Sequence, residues 1–240
     1  MPETLEDFLM SRPPTAERPL LGQTVLMVED SRFACEALRM ICQRSGARIR
    51  RADSLASAER HLRSYRPGIA VVDVGLPDGS GLELIEQLTH SDSPISVVLG
   101  ISGDDMLEPD VMAAGAHGFL SKPITSIMAF QQAILTHLPN NARPSKLRSV
   151  DVDRVEPDRI ALRDDFALAA ELLTPNSDEA TLDYLMTFLI GVAKSARDAV
   201  LEAAVDDVVT ARGSGKPLSA AKLKAIGQMI DERLNATEPV

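Results

Sequence analysis

The sequence predicts an α/β domain, a doubly wound parallel sheet of five strands, followed by a smaller all-α domain. From Thr24 to about Leu138, short apolar runs alternate with segments of helical period. One of these runs, GIAVV (68–72), is apolar throughout, as expected for a central strand buried on both faces. From about residue 155 onward the apolar residues follow helical spacing, which predicts the all-α part.

The predicted strands follow one another at the spacing of βαβ units. The five runs are TVLMV (24–28), ARIRRA (47–52), GIAVVDV (68–74), ISVVLGI (95–101) and GFL (118–120). Five helices are expected between and after them, as the spacing of Leu55, Ala58, Leu62 and Tyr65 illustrates. Strands connected in this way run parallel, and helices cover both faces of their sheet.

The remaining segments define the predicted domain organisation. Residues 1–21 are expected to form a flexible N-terminal arm before the α/β domain at 22–140. The polar stretch 141–154 is predicted to be a linker, and 155–236 a helical output or dimerisation domain. In that domain we expect helices over 161–173, over one long segment at about 178–212, and over 219–234.

The long helical segment carries an apolar seam at alternating spacings of three and four residues. Its members are Leu182, Leu185, Leu189, Val192, Ala196, Ala199 and Ala203. Such a seam has to be buried. A small bundle within the chain and a face that binds a second copy or another protein both satisfy this requirement.

Composition and charge restrict the function. The 240 residues include 25 Lys+Arg and 35 Asp+Glu, a net charge of -10, and both halves of the chain are acidic. A nucleic-acid partner is therefore not expected, because such proteins normally present a basic surface. No histidine follows His137, which excludes a histidine phosphotransfer module in the second half. The absence of a signal peptide and of a long apolar run predicts a cytoplasmic protein without a membrane partner.

Charged and polar residues stand at the ends of four predicted strands. Glu29 and Asp30 follow the first strand, Asp73 ends the third, and Ser102 and Lys122 follow the fourth and fifth. The carboxyl ends of parallel strands meet at one edge of the sheet, where ligands bind. Three carboxylates there need a cation among them, and hard oxygen ligands suit Mg²⁺. Such a site can stabilise a phosphoryl group in transfer, with a carboxylate as the nucleophile.

From Thr24 to Leu138 the chain resembles the receiver domain of bacterial two-component response regulators. The matching motifs are, in order, Glu29-Asp30, Asp73 in DVGLPDGSG (73–81), Ser102 in GISG (100–103), and GAHGFLSKP (115–123). Each motif alone is weak, but their order and spacing over about half of the chain are specific. The resemblance implies a flavodoxin-like sheet with strand order 2-1-3-4-5.

The resemblance also implies a phosphorylation site. Asp73 would accept phosphate from a sensor histidine kinase or a histidine phosphotransfer protein. Asp30, Asp73 and the backbone carbonyl of Gly75 would bind Mg²⁺, and Glu29 would hold the metal through water. No organic cofactor is implied.

Three further residues match the family's phosphate-sensing positions. By resemblance, Ser102 and Lys122 would contact the phosphoryl group, and Phe119 would take the aromatic switch position. Ser102 stands where the family more often has threonine, and Phe119 where tyrosine is frequent. The phenylalanine lacks the hydroxyl through which a tyrosine would hydrogen-bond.

The leading hypothesis is a response regulator that is not an enzyme beyond self-catalysed phosphotransfer and dephosphorylation. Its phosphorylation would switch a protein interaction or dimerisation through the C-terminal helices. One alternative is a DNA-binding transcriptional regulator. A less favoured alternative is a phosphohydrolase of the haloacid dehalogenase type, which normally has a second acid two residues after its nucleophile, where this chain has Gly75.

Overall fold

A five-stranded parallel sheet forms the centre of the first domain. The computed structural model describes residues 13–91, 94–144, 154–174, 176–213 and 219–236. The strands are β1 (Thr24–Val28), β2 (Arg48–Ala52), β3 (Ile69–Asp73), β4 (Val97–Ser102) and β5 (Gly118–Ser121). Their spatial order is β2-β1-β3-β4-β5, and every pairing is parallel. Both the predicted fold class and the predicted strand order are confirmed.

Helices cover both faces of this sheet. They are α1 (Arg32–Ser45), α2 (Leu55–Ser64), α3 (Gly81–His90), α4 (Glu108–Ala113) and α5 (Ile127–Leu135). Alternate residues of each strand point to opposite faces, so Val25 and Met27 pack with α1 and α5, whereas Leu26 and Val28 pack with α2, α3 and α4. Two apolar cores therefore lie between the sheet and its two helical layers.

Serine residues fix where four of these helices begin. In each case the serine side chain accepts a hydrogen bond from a backbone N–H of the first turn, which satisfies a donor that has no partner inside the helix. The serines are Ser31, Ser54, Ser80 and Ser126. Ser31 comes directly after the Glu29-Asp30 pair, so the first helix starts at the carboxyl edge of the sheet and fixes the position of both acids.

The C-terminal part consists of helices α6 (Arg159–Leu172), α7 (Glu179–Ala196), α8 (Ala199–Gly213) and α9 (Ala220–Ala236). They share a core of their own, in which the largest contributions come from α7 and α8. None of the helices in the described ranges combines the length and hydropathy needed to cross a lipid bilayer.

The prediction of one long helix over 178–212 is wrong. Arg197 adopts a left-handed conformation with φ 57° and ends α7. Asp198 then begins α8, because its carboxylate accepts a hydrogen bond from Leu201 N and forms an ion pair with Arg233. The predicted seam consequently fails in its distal half, where Ala199 and Ala203 are exposed.

The α/β domain also uses residues outside the five βα units. Leu20, from the predicted arm, is fully buried in the core under α1 and α5, and Val155 joins the same core. Arg154 forms an isolated β-bridge with Ser126. Residues 1–12 of the predicted arm and residues 145–153 of the predicted linker lie outside the described residues, so the domain limits stay a prediction.

Candidate functional site

Three carboxylates meet at the carboxyl edge of the sheet. Glu29 and Asp30 follow β1, and Asp73 is the last residue of β3, the strand paired with β1. One carboxylate oxygen from each lies within 4.8 Å of the others, and all three residues are buried. The structure thus brings together the acids that the sequence placed at separate strand ends.

Lys122 supplies the cation of this cluster. It follows β5, and its Nζ lies 2.7 Å from Asp73 Oδ2 and 2.8 Å from Glu29 Oε2. Its side chain is only 4% exposed, so bulk water screens these ion pairs little. One ammonium stands against three carboxylates, and the cluster carries a charge of -2 when all four groups are ionised.

Burial and mutual repulsion perturb the titration of these groups. Burial, together with the charge of Asp73, raises the pKa of Glu29 well above its usual range and that of Asp30 to about 6. Burial alone would lower the pKa of Lys122, but Asp73, Glu29 and Asp30 outweigh it and the pKa is raised. The site therefore has an excess of negative charge that a further cation would relieve.

The donor set fits a hard divalent cation. The cluster offers carboxylate oxygens at mutual distances that one ion can span, and its residual charge matches a doubly charged ion. Glu29 Oε2 is fully buried, and its partner among the described residues is the Lys122 ammonium at 2.8 Å. A carboxylate oxygen paired with one cation retains a lone pair for a metal or a metal-bound water.

The loop after Asp73 is held by a short hairpin, which the sequence did not predict. Gly75–Leu76 pairs antiparallel with Gly79–Ser80, and Gly75 N donates to Asp73 Oδ1 at 3.4 Å. The hairpin returns the chain to Gly81, whose N–H donates to the carbonyl of Val74. A Cβ at Gly81 would lie 1.9 Å from the carbonyl oxygen of Asp73. The backbone around the acid is therefore packed without space for a methyl group.

Gly81→Ala is expected to lower the free energy of unfolding by at least about 2 kcal/mol, because the methyl group has to displace the Asp73 backbone. Urea denaturation measures the change. Gly213→Ala is the matched control, since a Cβ there meets nothing within 4 Å. Equal midpoints for both variants would contradict the close approach of Gly81 and Asp73.

The other two predicted residues lie on the strands beyond β3. Ser102 ends β4, is buried, and accepts a hydrogen bond from Asp104 N through its hydroxyl at 3.0 Å. Lys122 N donates to the carbonyl of Ser102, which holds the β4 and β5 ends together. Phe119 lies on β5, half-buried against the core that contains α3 and α4.

Helix α7 contributes residues to this site that the sequence did not indicate. The hydroxyl of Tyr184 donates to Asp30 Oδ2, and burial, together with the charge of Asp30, raises the pKa of the phenol. A Cβ at Gly75 would lie 2.5 Å from Thr187 Cγ2, and one at Gly191 would lie 3.5 Å from Lys122 Nζ. α7 therefore lies directly over the acidic cluster.

Helix α6 is fixed to the start of α1 by Asp165. Its carboxylate accepts hydrogen bonds from Ser31 Oγ at 2.7 Å, Arg32 N at 2.7 Å and Phe33 N at 3.0 Å. An anion at these N–H groups also interacts favourably with the positive end of the α1 dipole. Burial raises the pKa of Asp165, while the Ser31 hydrogen bond opposes that shift. This contact holds the helical part beside the acidic cluster.

The fold and the site together define a receiver-type domain, a five-stranded doubly wound sheet with three acids and a lysine at its carboxyl edge. Residues 25–134 match the family described as response regulator receiver domain. This part of the chain is a receiver domain of that family.

Similar curated proteins include two transcriptional regulators. The virulence transcriptional regulatory protein PhoP of Salmonella typhimurium (strain 14028s / SGSC 2262) is 33% identical over 114 residues, which are 46% of this chain and 51% of the relative. The transcriptional regulatory protein PhoP of Escherichia coli O6:H1 is 32% identical over 114 residues, with the same coverage of 46% and 51%. The chain spans about half the length of these relatives.

A solved structure of a response regulator receiver domain from Methylobacillus flagellatus covers 48% of this chain and 98% of its own, with 24% identity and a TM-score of 0.44. The family match ends at residue 134 and does not include helices α6–α9.

Proposed function

We propose that the chain is a response regulator whose phosphoacceptor is Asp73 and whose donor is a phosphohistidine of a sensor kinase or phosphotransfer protein. The observation that carries this proposal is the buried cluster of Glu29, Asp30 and Asp73, with Lys122 Nζ 2.7 Å from Asp73. The membership of residues 25–134 in the receiver family supports it.

In the proposed reaction an oxygen of Asp73 attacks the phosphorus, and a P–O bond forms. The P–N bond of the donor breaks, and its electron pair stays on the imidazole nitrogen. Lys122 Nζ, already beside Asp73 Oδ2, neutralises charge on the transferred oxygens. Ser102 ends the neighbouring strand, where its hydroxyl can donate to one of those oxygens once it turns from Asp104 N.

Mg²⁺ is the proposed metal, held by Asp30, Asp73 and the carbonyl of Gly75, with Glu29 acting through water. When bound, it supplies positive charge that stabilises the phosphoryl oxygens during transfer. The residual negative charge of the cluster and the short mutual distances of its three carboxylates support a divalent ion at this place.

The proposed output is a change in protein interaction or dimerisation of the helical part, with residues 22–140 as the receiver and 155–236 as the output domain. Phe119 is the proposed switch residue, and self-catalysed loss of phosphate would reset the protein. The contacts of α6 and α7 with the site support a short route from Asp73 to the output helices.

The proposed function is tested by incubating the full chain with Mg²⁺ and acetyl phosphate. We expect an intact-mass increase of one phosphoryl group, and borohydride trapping of the acyl phosphate is expected to map it to the peptide that contains Asp73. Chelation of Mg²⁺ should prevent the reaction. A phosphoryl group on any other residue would overturn the assignment. So would the absence of phosphorylation both in the parent and in the variants described below.

A second candidate function is DNA binding, favoured by the names of the relatives, which are transcriptional regulatory proteins. These names do not support the expectation from the sequence that the chain has no nucleic-acid partner. Retention of the full chain on duplex DNA that weakens steeply with added salt would favour this output. Equal elution with and without DNA on the matrix would favour a protein partner.

A further inference from the structure

Helix α7 contacts every loop that the proposed phosphorylation site uses. Tyr184 bonds Asp30 after β1, and Thr187 packs against Gly75 after β3. One turn further along, Gly191 packs against the loop after β4, where a Cβ at Gly103 would lie 3.1 Å from Gly191 Cα. The contacts span three successive turns of one helix, so the helix follows the carboxyl edge of the sheet.

The Tyr184 contact involves an oxygen that a metal would need. Its hydroxyl donates to Asp30 Oδ2, and the other oxygen of Asp30 accepts from Ser31 N at 3.0 Å. The hydrogen bond occupies one lone pair of Oδ2 and withdraws negative charge from that oxygen, so it weakens Oδ2 as a metal ligand. A metal ion that takes the position of the phenolic proton displaces the Tyr184 hydroxyl.

The same helix blocks the approach to the phosphoacceptor. Asp73 is only 6% exposed. The Gly191 backbone approaches Lys122 Nζ so closely that one methyl group on it would already be in van der Waals contact. A donor histidine has to bring phosphorus to bonding distance of an Asp73 oxygen, and the phosphoryl group has to lie beside Lys122. α7 occupies that approach.

We propose that α7 is a lid over the phosphorylation site, and that Tyr184 is a positioning residue that acts through Asp30 to hold the lid closed. This inference rests on the proposed function. The receiver then exchanges between a closed form, in which metal and donor are excluded, and an open form, in which both can bind. The apparent metal affinity and the phosphorylation rate each equal the value of the open form multiplied by the fraction of molecules that is open.

Occupancy of the site favours the open form for the same reason. A phosphoryl group brings about 1.5 to 2 negative charges and three oxygens into the space beside Gly191 and Lys122. Coupling is reciprocal, so closure of α7 lowers the affinity of the site for metal and phosphate by the same factor by which these ligands weaken the binding of α7. The face of α7 that contains Tyr184, Thr187 and Gly191 becomes accessible to a partner in the open form.

The first test compares Tyr184→Phe with Tyr65→Phe. Tyr65 is the other tyrosine of the chain, and its buried hydroxyl has no hydrogen-bond partner among the described residues. We expect Tyr184→Phe to raise the Mg²⁺ affinity and the initial rate of Asp73 phosphorylation by acetyl phosphate about tenfold, the value of one hydrogen bond to a charged group. Tyr65→Phe should leave both unchanged.

The second readout is the emission of Tyr184 itself. The chain has no tryptophan and two tyrosines, so Tyr65→Phe leaves Tyr184 as the single fluorophore of this kind. A phenol bonded to a carboxylate is quenched. We expect its emission to rise when Mg²⁺ and beryllofluoride are added, and to stay constant when beryllofluoride is added with a chelator.

A reversible lock provides a third test. A Cβ at Gly75 would lie 3.6 Å from Thr187 Cβ, within the usual range for a disulfide. The double variant Gly75→Cys/Thr187→Cys should resist phosphorylation when oxidised and react when reduced. Thr187→Cys alone, treated with the same oxidant, should react in both states.

The outcomes separate the lid from the proposed function. An unchanged or lower rate and Mg²⁺ affinity in Tyr184→Phe, with normal phosphorylation of the parent, would overturn the lid and leave the function standing. Equal phosphorylation rates of the oxidised and the reduced double variant would also overturn the lid and leave the function standing. Failure of Asp73 to accept phosphate in the parent, in Tyr184→Phe and in the reduced variant would overturn the proposed function itself.

Discussion

Asp73→Asn is expected to abolish phosphorylation of the chain by acetyl phosphate. The amide has no carboxylate oxygen to attack phosphorus, and the cluster loses the oxygen that lies 2.7 Å from Lys122 Nζ. Glu29 and Asp30 remain, but Glu29 already bonds Lys122 and Asp30 bonds Tyr184. Intact-mass measurement should show no phosphoryl adduct under conditions that modify the parent fully.

The matched control is Asp53→Asn. Asp53 follows β2 at the same edge of the sheet but is exposed and lies outside the acidic cluster. The Asp53→Asn variant should be phosphorylated at Asp73 to the same extent as the parent. An adduct that persists in Asp73→Asn would show that another residue takes the phosphate and would refute the assigned role of Asp73.

Asp165→Ala is expected to lower the free energy of unfolding by about 3 kcal/mol, because it leaves the buried Ser31 hydroxyl, the buried Phe33 N–H and the part-buried Arg32 N–H without an acceptor. Asp165 is 1% exposed, so water cannot replace the lost carboxylate without opening the contact between α6 and α1. The loss should appear as a lower urea midpoint and as faster hydrogen exchange in α6 and the first turn of α1.

Asp164→Ala is the control for that variant. Asp164 is the adjacent acid, but its side chain is 42% exposed and pairs with an Arg32 side chain that is 62% exposed. Surface pairs of this kind contribute about 0 to 1 kcal/mol. If the two variants have the same midpoint, the Asp165 contact does not hold the helical part to the receiver.

Local pattern was sufficient to predict the sheet and the acidic cluster. Buried parallel strands read as short apolar runs, and the acid or lysine that ends each run marks the edge where ligands bind. Glu29, Asp30, Asp73 and Lys122 could therefore be assigned to one site from their positions along the chain. The distances among them follow from the strand order, which the motif resemblance implied.

The rest of the site depends on packing between distant segments. Nothing near Tyr184 or Asp165 in the sequence points to Asp30 or Ser31, which lie 154 and 134 residues away. The sequence does not reveal the break between α7 and α8, because arginine has a high helix propensity and yet Arg197 takes a left-handed conformation there. Asp198 and its ion pair with Arg233 stabilise that break, and neither is visible as a local signal.

The C-terminal helices thus contact the proposed phosphorylation site directly. Tyr184 and Gly191 of α7 lie against residues proposed to bind metal and phosphate, and Asp165 fixes α6 to the first turn of α1. A change in occupancy at Asp73 therefore has to alter the same surface that holds α7. The proposed signal would therefore reach the helical part without a long route through the receiver.

Hydrogen exchange of the α7 backbone, Glu179–Ala196, with and without Mg²⁺ and beryllofluoride, tests this connection most directly. Beryllofluoride stands for the phosphoryl group on Asp73, and its binding is verified in the same sample by the mass of the intact complex. We expect faster exchange in α7 when the site is occupied. Unchanged exchange in α7 at full occupancy would contradict it.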